Sequence, residues 1–410
     1  MAGWPDILHA FRREELVYVA LLFCLFVLPR IVQRLGIPPA VTAMLLGITA
    51  SVGPGWLVHD PTVELLSTLG IVALFLFAGM EVDTRQLVRD RAALIQHLVI
   101  RVALLAAAAA VCRWTLAMGW RPALVVALAL LTPSTGFILD SIGIFGLNPQ
   151  EERWVKIKAI ATELLALVVL FFVIQSGSPA RLGLSLAVIL AMLALLPVVF
   201  RIFASHVLPY APGSEFAFVI IVAAMCAMIT RGLGVYYLLG AFVVGVVSRR
   251  FQSELPRVRS RDLLRAVELF ASFFIPFYFF HAGTQIARDD LSVAAVLTGA
   301  AMLATGLPVR VLAVTLHRKI ALHEPFRHAI RIATALTPTL VFTLVLAQIL
   351  REQFHVTGEI YSGLVIYALV TTLLPGFVLR VPSPDFTSPR VRDDAPMEAS
   401  PAEGAPADRK

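Results

Sequence analysis

From Ile157 to Ile174 the chain reads IKAIATELLALVVLFFVI, an apolar run in which Thr162 and Glu163 are read as the only polar side chains, Lys158 being counted with the inner-boundary cations. A carboxylate in so apolar a run has to be protonated, paired with a cation or turned toward water, because burying the bare charge is too costly. Desolvation favours a neutral acid and a nearby positive charge favours a carboxylate. One carboxyl group held between those influences can take a proton or a metal cation in turn, which is the chemistry of exchange. The plainer alternative is a structural buried ion pair. Arg310, in TGLPVRVLAVTL, and Arg101, in LVIRVALL, stand inside apolar runs and are the candidate ion-pair partners of Glu163. Glu163 lies seven residues after Lys156 and Arg310 seven before His317, so both sit about 10 Å from the same membrane boundary. Arginine does not give up its proton, so neither can carry one. His281, in FFHAGTQI, is a possible second titrating group. Asp140, Glu81, Asp83, Glu64 and Glu215 lie near span ends, where a solvated role is the default.

Two further stretches are out of place in apolar helices. LLTPSTGFIL at 130–139 sets Thr132, Pro133, Ser134 and Thr135 in one such run, and ALTPTLVFTL at 335–344 sets Thr337, Pro338 and Thr339 in another. Proline removes a helix donor and frees backbone carbonyls, which lipid tolerates only where they line protein or a water-filled cavity. Each proline falls about a dozen residues into its run, near the bilayer midplane at about 1.5 Å per residue. Two antiparallel helices broken there would cross and bring half-helix ends to one point, where their dipoles balance a site of changing charge. A pair of ordinary proline kinks is the alternative.

The elements that position these residues are membrane spans. The chain has 410 residues, 59% of them hydrophobic, and a mean hydropathy of +0.84, and apolar runs of about 20 residues recur almost end to end. They predict an all-α polytopic membrane protein with 13 spans, at 16–34, 38–53, 63–81, 92–112, 122–146, 157–176, 182–203, 214–230, 235–248, 264–285, 291–316, 326–350 and 360–379. The second and ninth are the shortest. One transmembrane domain is expected over 1–380, and a disordered cytoplasmic tail rich in Pro, Ala, Asp and Glu over 381–410. The first run ends at Pro29-Arg30 rather than at a small-residue cleavage site, so it reads as a retained span.

The isoelectric point of 9.7 reflects orientation rather than nucleic-acid binding. With the N-terminus outside, most Lys and Arg fall on the inner side, among them the run RRFQSELPRVRSRDLLR at 249–265. Cys24, Cys112 and Cys226 lie in apolar runs without metal-ligand spacing. No nucleophile–base pair, phosphate loop or metal cluster points to an enzyme, and no cofactor is expected. The Ala-Gly pair of LFLFAGMEVD at 74–83 recurs 204 residues later in FYFFHAGTQI at 277–286, and Pro133 recurs 205 residues later as Pro338. Spans 3 and 5 therefore match spans 10 and 12. A shift of seven spans is odd, so the second copy is inverted across the membrane.

The residues that carry these signals resemble those of the second cation:proton antiporter family, over about 15–380. RLGIPPAVTAMLLGITASVGPGWL is similar to that family's first loop and second span. LGIVALFLFAGMEVDTRQL resembles its third-span signature, and LLGAFVVGVVSRR and FFIPFYFFHAGTQI resemble later ones. The resemblance implies a fold with a dimerisation domain and a core of two crossed broken helices that moves like an elevator. It also implies a homodimer, a cation-site acid matched by Glu163 after Thr162, and a basic residue matched by Arg310. The sequence departs from the pattern in having Thr-Glu for Asn-Asp or Gln-Asp, Arg for Lys, and no acid after the second break. No C-terminal nucleotide-binding regulatory domain of the kind some of these relatives carry is expected. The expected protein is a bacterial inner-membrane antiporter, N-terminus outside and C-terminus cytoplasmic, in which Glu163 transiently holds Na⁺ or K⁺ in exchange for a proton. With one such carboxyl, exchange is expected to be electroneutral, His281 being the group that would supply a second proton. A sodium-coupled organic anion symporter and a non-transporting membrane sensor are the alternatives on the same scaffold.

Overall fold

The structure, a computed structural model, describes residues 13–53, 55–82, 89–234, 237–254 and 257–379. The expected tail at 381–410, Asp83, the side chain of Asp140 and most side chains of the basic run at 249–265 lie outside the described residues. Sixteen α-helices follow one another with no strand among the described residues: α1 (Arg13–Phe26), α2 (Leu28–Val32), α3 (Pro39–Val52), α4 (Pro61–Met80), α5 (Arg91–Thr115), α6 (Trp120–Leu131), α7 (Thr135–Ser141), α8 (Pro149–Gln175), α9 (Pro179–Ile202), α10 (Glu215–Gly232), α11 (Tyr237–Glu254), α12 (Arg257–Thr284), α13 (Val293–Ala321), α14 (Phe326–Ala335), α15 (Leu340–Phe354) and α16 (Gly358–Val378).

Local sequence explains where the helices start. Pro39, Pro61, Pro149 and Pro179 occupy first helical positions, where a missing N–H costs nothing and the fixed φ is already helical. Asp60 caps α4 by accepting from Val63 N at 2.9 Å. Asn148 and Glu151 form a reciprocal capping box at the start of α8, with bonds of 2.8 and 3.0 Å. The buried Glu151 also accepts from His328 Nδ1 at 2.8 Å and from Arg331 Nε at 3.2 Å, which ties the start of α8 to α14.

Among the described residues ten helical segments are long and apolar enough to cross a membrane, one joining α1 with α2 and one α6 with α7, and an eleventh crossing is made if the bent pair α14 and α15 counts as one span. The chain is therefore a multi-pass membrane protein. Two shorter apolar helices, Pro39–Val52 and Leu239–Arg249, coincide with the short second and ninth expected spans. At 1.5 Å per residue each falls short of the roughly 30 Å hydrocarbon core.

The helices pack as two groups. In a scaffold, α4 and α3 lie along α12, and α11 packs between α4 and α10. In the second group α5, α8, α13 and α16 surround the two broken helices, α6 with α7 and α14 with α15. The scaffold shows the inverted repeat directly. Gly79 of α4 meets Gly245 of α11, and Gly283 of α12 meets Gly47 of α3. In span order these are third with ninth and tenth with second, so the same shift of seven spans relates the two contacts. A Cβ at Gly79 would stand 2.3 Å from Phe242 O, and one at Gly283 2.2 Å from Met44 O. Small residues here let the backbones touch, which drives helix association where lipid removes the hydrophobic effect.

Gly283→Ala should force α3 and α12 apart and cost about 1–3 kcal/mol, in the range of other overpacking changes. The check is the thermal unfolding midpoint in detergent. Gly183→Ala in α9, where nothing lies within 4 Å of the added methyl, should leave that midpoint unchanged or slightly raised.

Candidate functional site

Two helix breaks make the site. The first run is helical to Leu131 and again from Thr135, and the second is helical to Ala335 and again from Leu340, with a bend of 48°. Both interruptions centre on the Thr-Pro pairs, and Thr132, Pro133, Ser134, Thr135, Thr337, Pro338 and Thr339 are all buried. The interruptions touch. Ser134 N donates to Pro338 O at 2.8 Å, and Thr343 Oγ1 donates to Ala129 O at 2.7 Å. A residue five before Ser134 thus faces one five after Pro338, so the two broken helices cross antiparallel. Thr337 Oγ1 reaches Thr334 O at 2.7 Å and Thr371 O at 3.1 Å, and Thr339 Oγ1 pairs with Thr371 Oγ1 at 3.0 Å. The threonines of the motifs satisfy the backbone that the prolines freed.

The arginines serve the carbonyl ends. Arg310 on α13 donates Nη2 to Leu336 O at 2.7 Å and Nη1 to Thr337 O at 3.1 Å, with Tyr367 Oη at 3.2 Å. Tyr367 in turn donates to Leu130 O at 2.7 Å. Arg101 on α5 donates Nη1 to Leu131 O at 3.2 Å. Each arginine therefore sits on the helix before a broken helix and covers the negative, carboxyl-terminal end of its first half. The expected ion pair of Glu163 with Arg310 or Arg101 is absent among the described residues. Equal spacing from the expected membrane boundary does not by itself make a contact. The uncapped carbonyls compete for the guanidinium, and they hold it.

Glu163 is 3% exposed. Its Oε2 accepts from Thr135 N at 2.9 Å, the first residue of α7, where the free N–H groups and the positive dipole end favour an anion. Thr135 Oγ1 is buried without a hydrogen-bond partner. A carboxylate and an unsatisfied hydroxyl on one residue pair supply hard oxygen donors of the kind an alkali cation takes. The crossing thus sorts its charges: arginines at the carboxyl-terminal half-helix ends, a carboxylate at an amino-terminal one.

The neighbour of Glu163 leads to a second cluster that the sequence did not disclose. Lys158, five residues before Glu163 on α8, is 0% exposed. Its Nζ is 3.1 Å from His317 Nδ1 and 3.5 Å from His97 Nδ1. His97 Nε2 is 3.0 Å from Thr162 Oγ1, and that hydroxyl donates to Lys158 O at 2.7 Å. By position Lys158 counts among the inner-boundary cations beside Lys156. Its spacing of four residues from Thr162 was the available signal, because it puts both on one helix face; His97 and Arg101 share the same spacing on α5. His281 stands elsewhere. It lines a cavity of about 250 Å³ with Glu64, Tyr278, Gln348 and Glu352, and its Nδ1 is buried without a partner.

A family model described as the transmembrane region of sodium/hydrogen exchangers matches residues 19–383. No curated protein sequence matches. Among solved structures, the sodium proton antiporter MjNhaP1 from Methanocaldococcus jannaschii at pH 8 superposes with a TM-score of 0.67 at 14% identity, covering 88% of this chain and 94% of that one. An electron-microscopy structure of the same antiporter gives a TM-score of 0.66, also at 14% identity, over 90% of this chain and 95% of that one. At that identity the likeness concerns the fold.

Arg310→Met should cost about 1–3 kcal/mol by leaving the Leu336 and Thr337 carbonyls without a donor. The readout is thermal unfolding of single and double mutants with Glu163→Gln. Because Arg310 covers carbonyls, the two changes should add to within about 0.5 kcal/mol. Strong coupling, with Glu163→Gln rescuing Arg310→Met, would restore the ion pair.

Proposed function

The chain belongs to the sodium/hydrogen exchanger family, and from that premise we propose that it is a secondary active antiporter exchanging Na⁺ or K⁺ for protons at Glu163. One observation carries the proposal: a carboxyl group buried at the crossing of two broken helices, held by a backbone N–H and, among the described residues, by no charged side chain. Such a group is neutral when protonated and neutral when it holds a monovalent cation. It meets the charged, empty state only briefly, supported by the Thr135 N–H. Thr135 flanks it as a further oxygen donor, whereas the hydroxyl of Thr162, the other donor expected there, is engaged by His97 and by Lys158 O. The description of MjNhaP1 as a sodium proton antiporter favours Na⁺ as the first cation to test.

The two packed groups support an elevator-type alternating access. In this reading the scaffold of α3, α4, α10, α11 and α12 stays fixed, as the dimerisation domain of a homodimer. The group carrying the crossing slides along it past the contacts of α4 with α7 and of α3 with α16, and so exposes Glu163 to one side and then the other. The surrounding membrane is the bacterial inner membrane, with the N-terminus outside and the Lys- and Arg-rich loops in the cytoplasm. Exchange at Glu163 alone trades one positive charge for one and is electroneutral. That count assumed no lysine within the spans, and Lys158 removes the assumption.

Glu163→Gln should reduce exchange to the background of empty vesicles while leaving the unfolding midpoint unchanged or higher, because the amide keeps the shape and loses the exchangeable proton. The measurement is dequenching of a pH-sensitive dye in proteoliposomes after addition of NaCl or KCl. Glu163→Asp should retain part of the rate. A wild-type rate in Glu163→Gln would remove this residue from the mechanism. A wild-type protein that moves no protons with either cation would point to the non-transporting sensor.

A further inference from the structure

We propose that Lys158, His97 and His317 form a second proton-binding site, separate from Glu163, whose occupancy sets the pH response of exchange. The proposal rests on the antiport reading above for its assay, and on a different set of contacts for its substance.

Three nitrogen bases meet here on three different helices, α5, α8 and α13. Their hydrogen bonds can be assigned from the partners. Thr162 Oγ1 gives its hydrogen to Lys158 O, so it accepts from His97 Nε2–H at 3.0 Å. That leaves the Nδ1 lone pair of His97 facing Lys158 Nζ. On the other side His317 Nε2 is 3.4 Å from Gln96 Oε1, an acceptor, so its Nδ1 lone pair also faces Lys158 at 3.1 Å. Lys158 thus has two acceptors to satisfy. An ammonium fills both with one N–H to spare, and a neutral amine fills both with the two N–H groups it keeps. The cluster is hydrogen-bonded in either state, so a proton can come and go without breaking it.

The charges around it make that proton exchangeable. From the helices packed on Lys158 the groups facing it are Arg101 on α5, Arg318 on α13 and Glu324 after α13. Both arginines stay charged. Glu324 has both oxygens committed to Arg318, Nε to Oε2 at 2.7 Å and Nη2 to Oε1, and Arg318 stacks over Trp154 at 4.9 Å. No carboxylate lies within ion-pair distance of Lys158 among the described residues. A structural buried lysine ordinarily has such a partner; this one has two imidazoles.

Position gives the site its consequence. The bonded chain runs from exposed Gln96 through His317, Lys158 and His97 to Thr162, the residue beside Glu163 on α8. A proton held on the cluster is picked up from water at the face that bears Gln96 and leaves to the same water, with no other co-reactant. Its positive charge, five residues from Glu163 on one helix, opposes a second cation there and is released as the pH at that face rises.

The test is the pH dependence of Na⁺-driven exchange in proteoliposomes, with the pH on the face bearing Gln96 varied. Wild type should lose activity on acidification with a slope approaching two protons. Lys158→Met should keep exchange but reduce that slope to one, and His317→Gln should keep two steps and move the midpoint by half a pH unit or more. A Lys158→Met profile that superimposes on wild type would overturn the proposal and leave Lys158 a packing residue. If Lys158→Met does not fold, an unchanged profile in both His317→Gln and His97→Gln overturns it equally. Failure of the Glu163 reading is a separate event, exchange persisting in Glu163→Gln, and leaves the slope comparison intact.

Discussion

A helix broken inside a membrane leaves carbonyls and N–H groups with no water to bond them, and everything near the crossing answers that requirement. Two interruptions, at 132–134 and 336–339, expose half-helix ends in one place. The carboxyl-terminal ends are met by Arg101, Arg310 and Tyr367, and the amino-terminal end of α7 by Glu163. Each supporting group comes from a different helix, so α5, α8, α13 and α16 must all pack around the crossing for any of it to be satisfied. The Glu151 contacts to His328 and Arg331 then fix the start of α8 against α14, which sets how far along the crossing Glu163 stands.

The division of labour matters for exchange. A carboxylate locked to a buried arginine would be held in its charged form and would compete poorly for protons. With the arginines engaged by carbonyls, Glu163 is held by the Thr135 N–H and by no arginine among the described residues, which in the proposed reading leaves both proton and cation able to neutralise it. The inverted repeat supplies the same arginine-to-carbonyl contact twice, once from each half, so both carboxyl-terminal half-helix ends are covered by a guanidinium. That symmetry suits a site that must serve both faces of a membrane in turn.

Much of this was legible in the residues. Composition gave the membrane class, the paired Thr-Pro motifs gave both breaks, and the offset of the Ala-Gly pairs gave the repeat that the Gly79–Gly245 and Gly283–Gly47 contacts express. What sequence could not give was direction around a helix axis. Depth placed Arg310 level with Glu163, yet whether a side chain turns toward a carboxylate or toward the end of a neighbouring helix depends on packing that spacing does not encode. Lys158 was hidden for a related reason: next to Lys156 and Arg153 it looks like part of a solvated boundary, and only the arrival of His97 and His317 from distant helices makes it buried. His281, prominent as a lone histidine in a signature stretch, proves to line a cavity with Glu64 and Glu352, apart from the contacts of the crossing.

The central claim is that one buried carboxyl trades a proton for a cation, and counting released protons tests it most directly. Purified protein in weakly buffered detergent, with a pH indicator dye, is given NaCl or KCl, with choline chloride as the control for ionic strength. Wild-type protein should release protons on addition of the transported cation and none with choline, and Glu163→Gln should release none with any salt. Equal proton release from wild type and Glu163→Gln would mean that the cation displaces its proton from some other group, and the crossing would then be a scaffold for a site elsewhere.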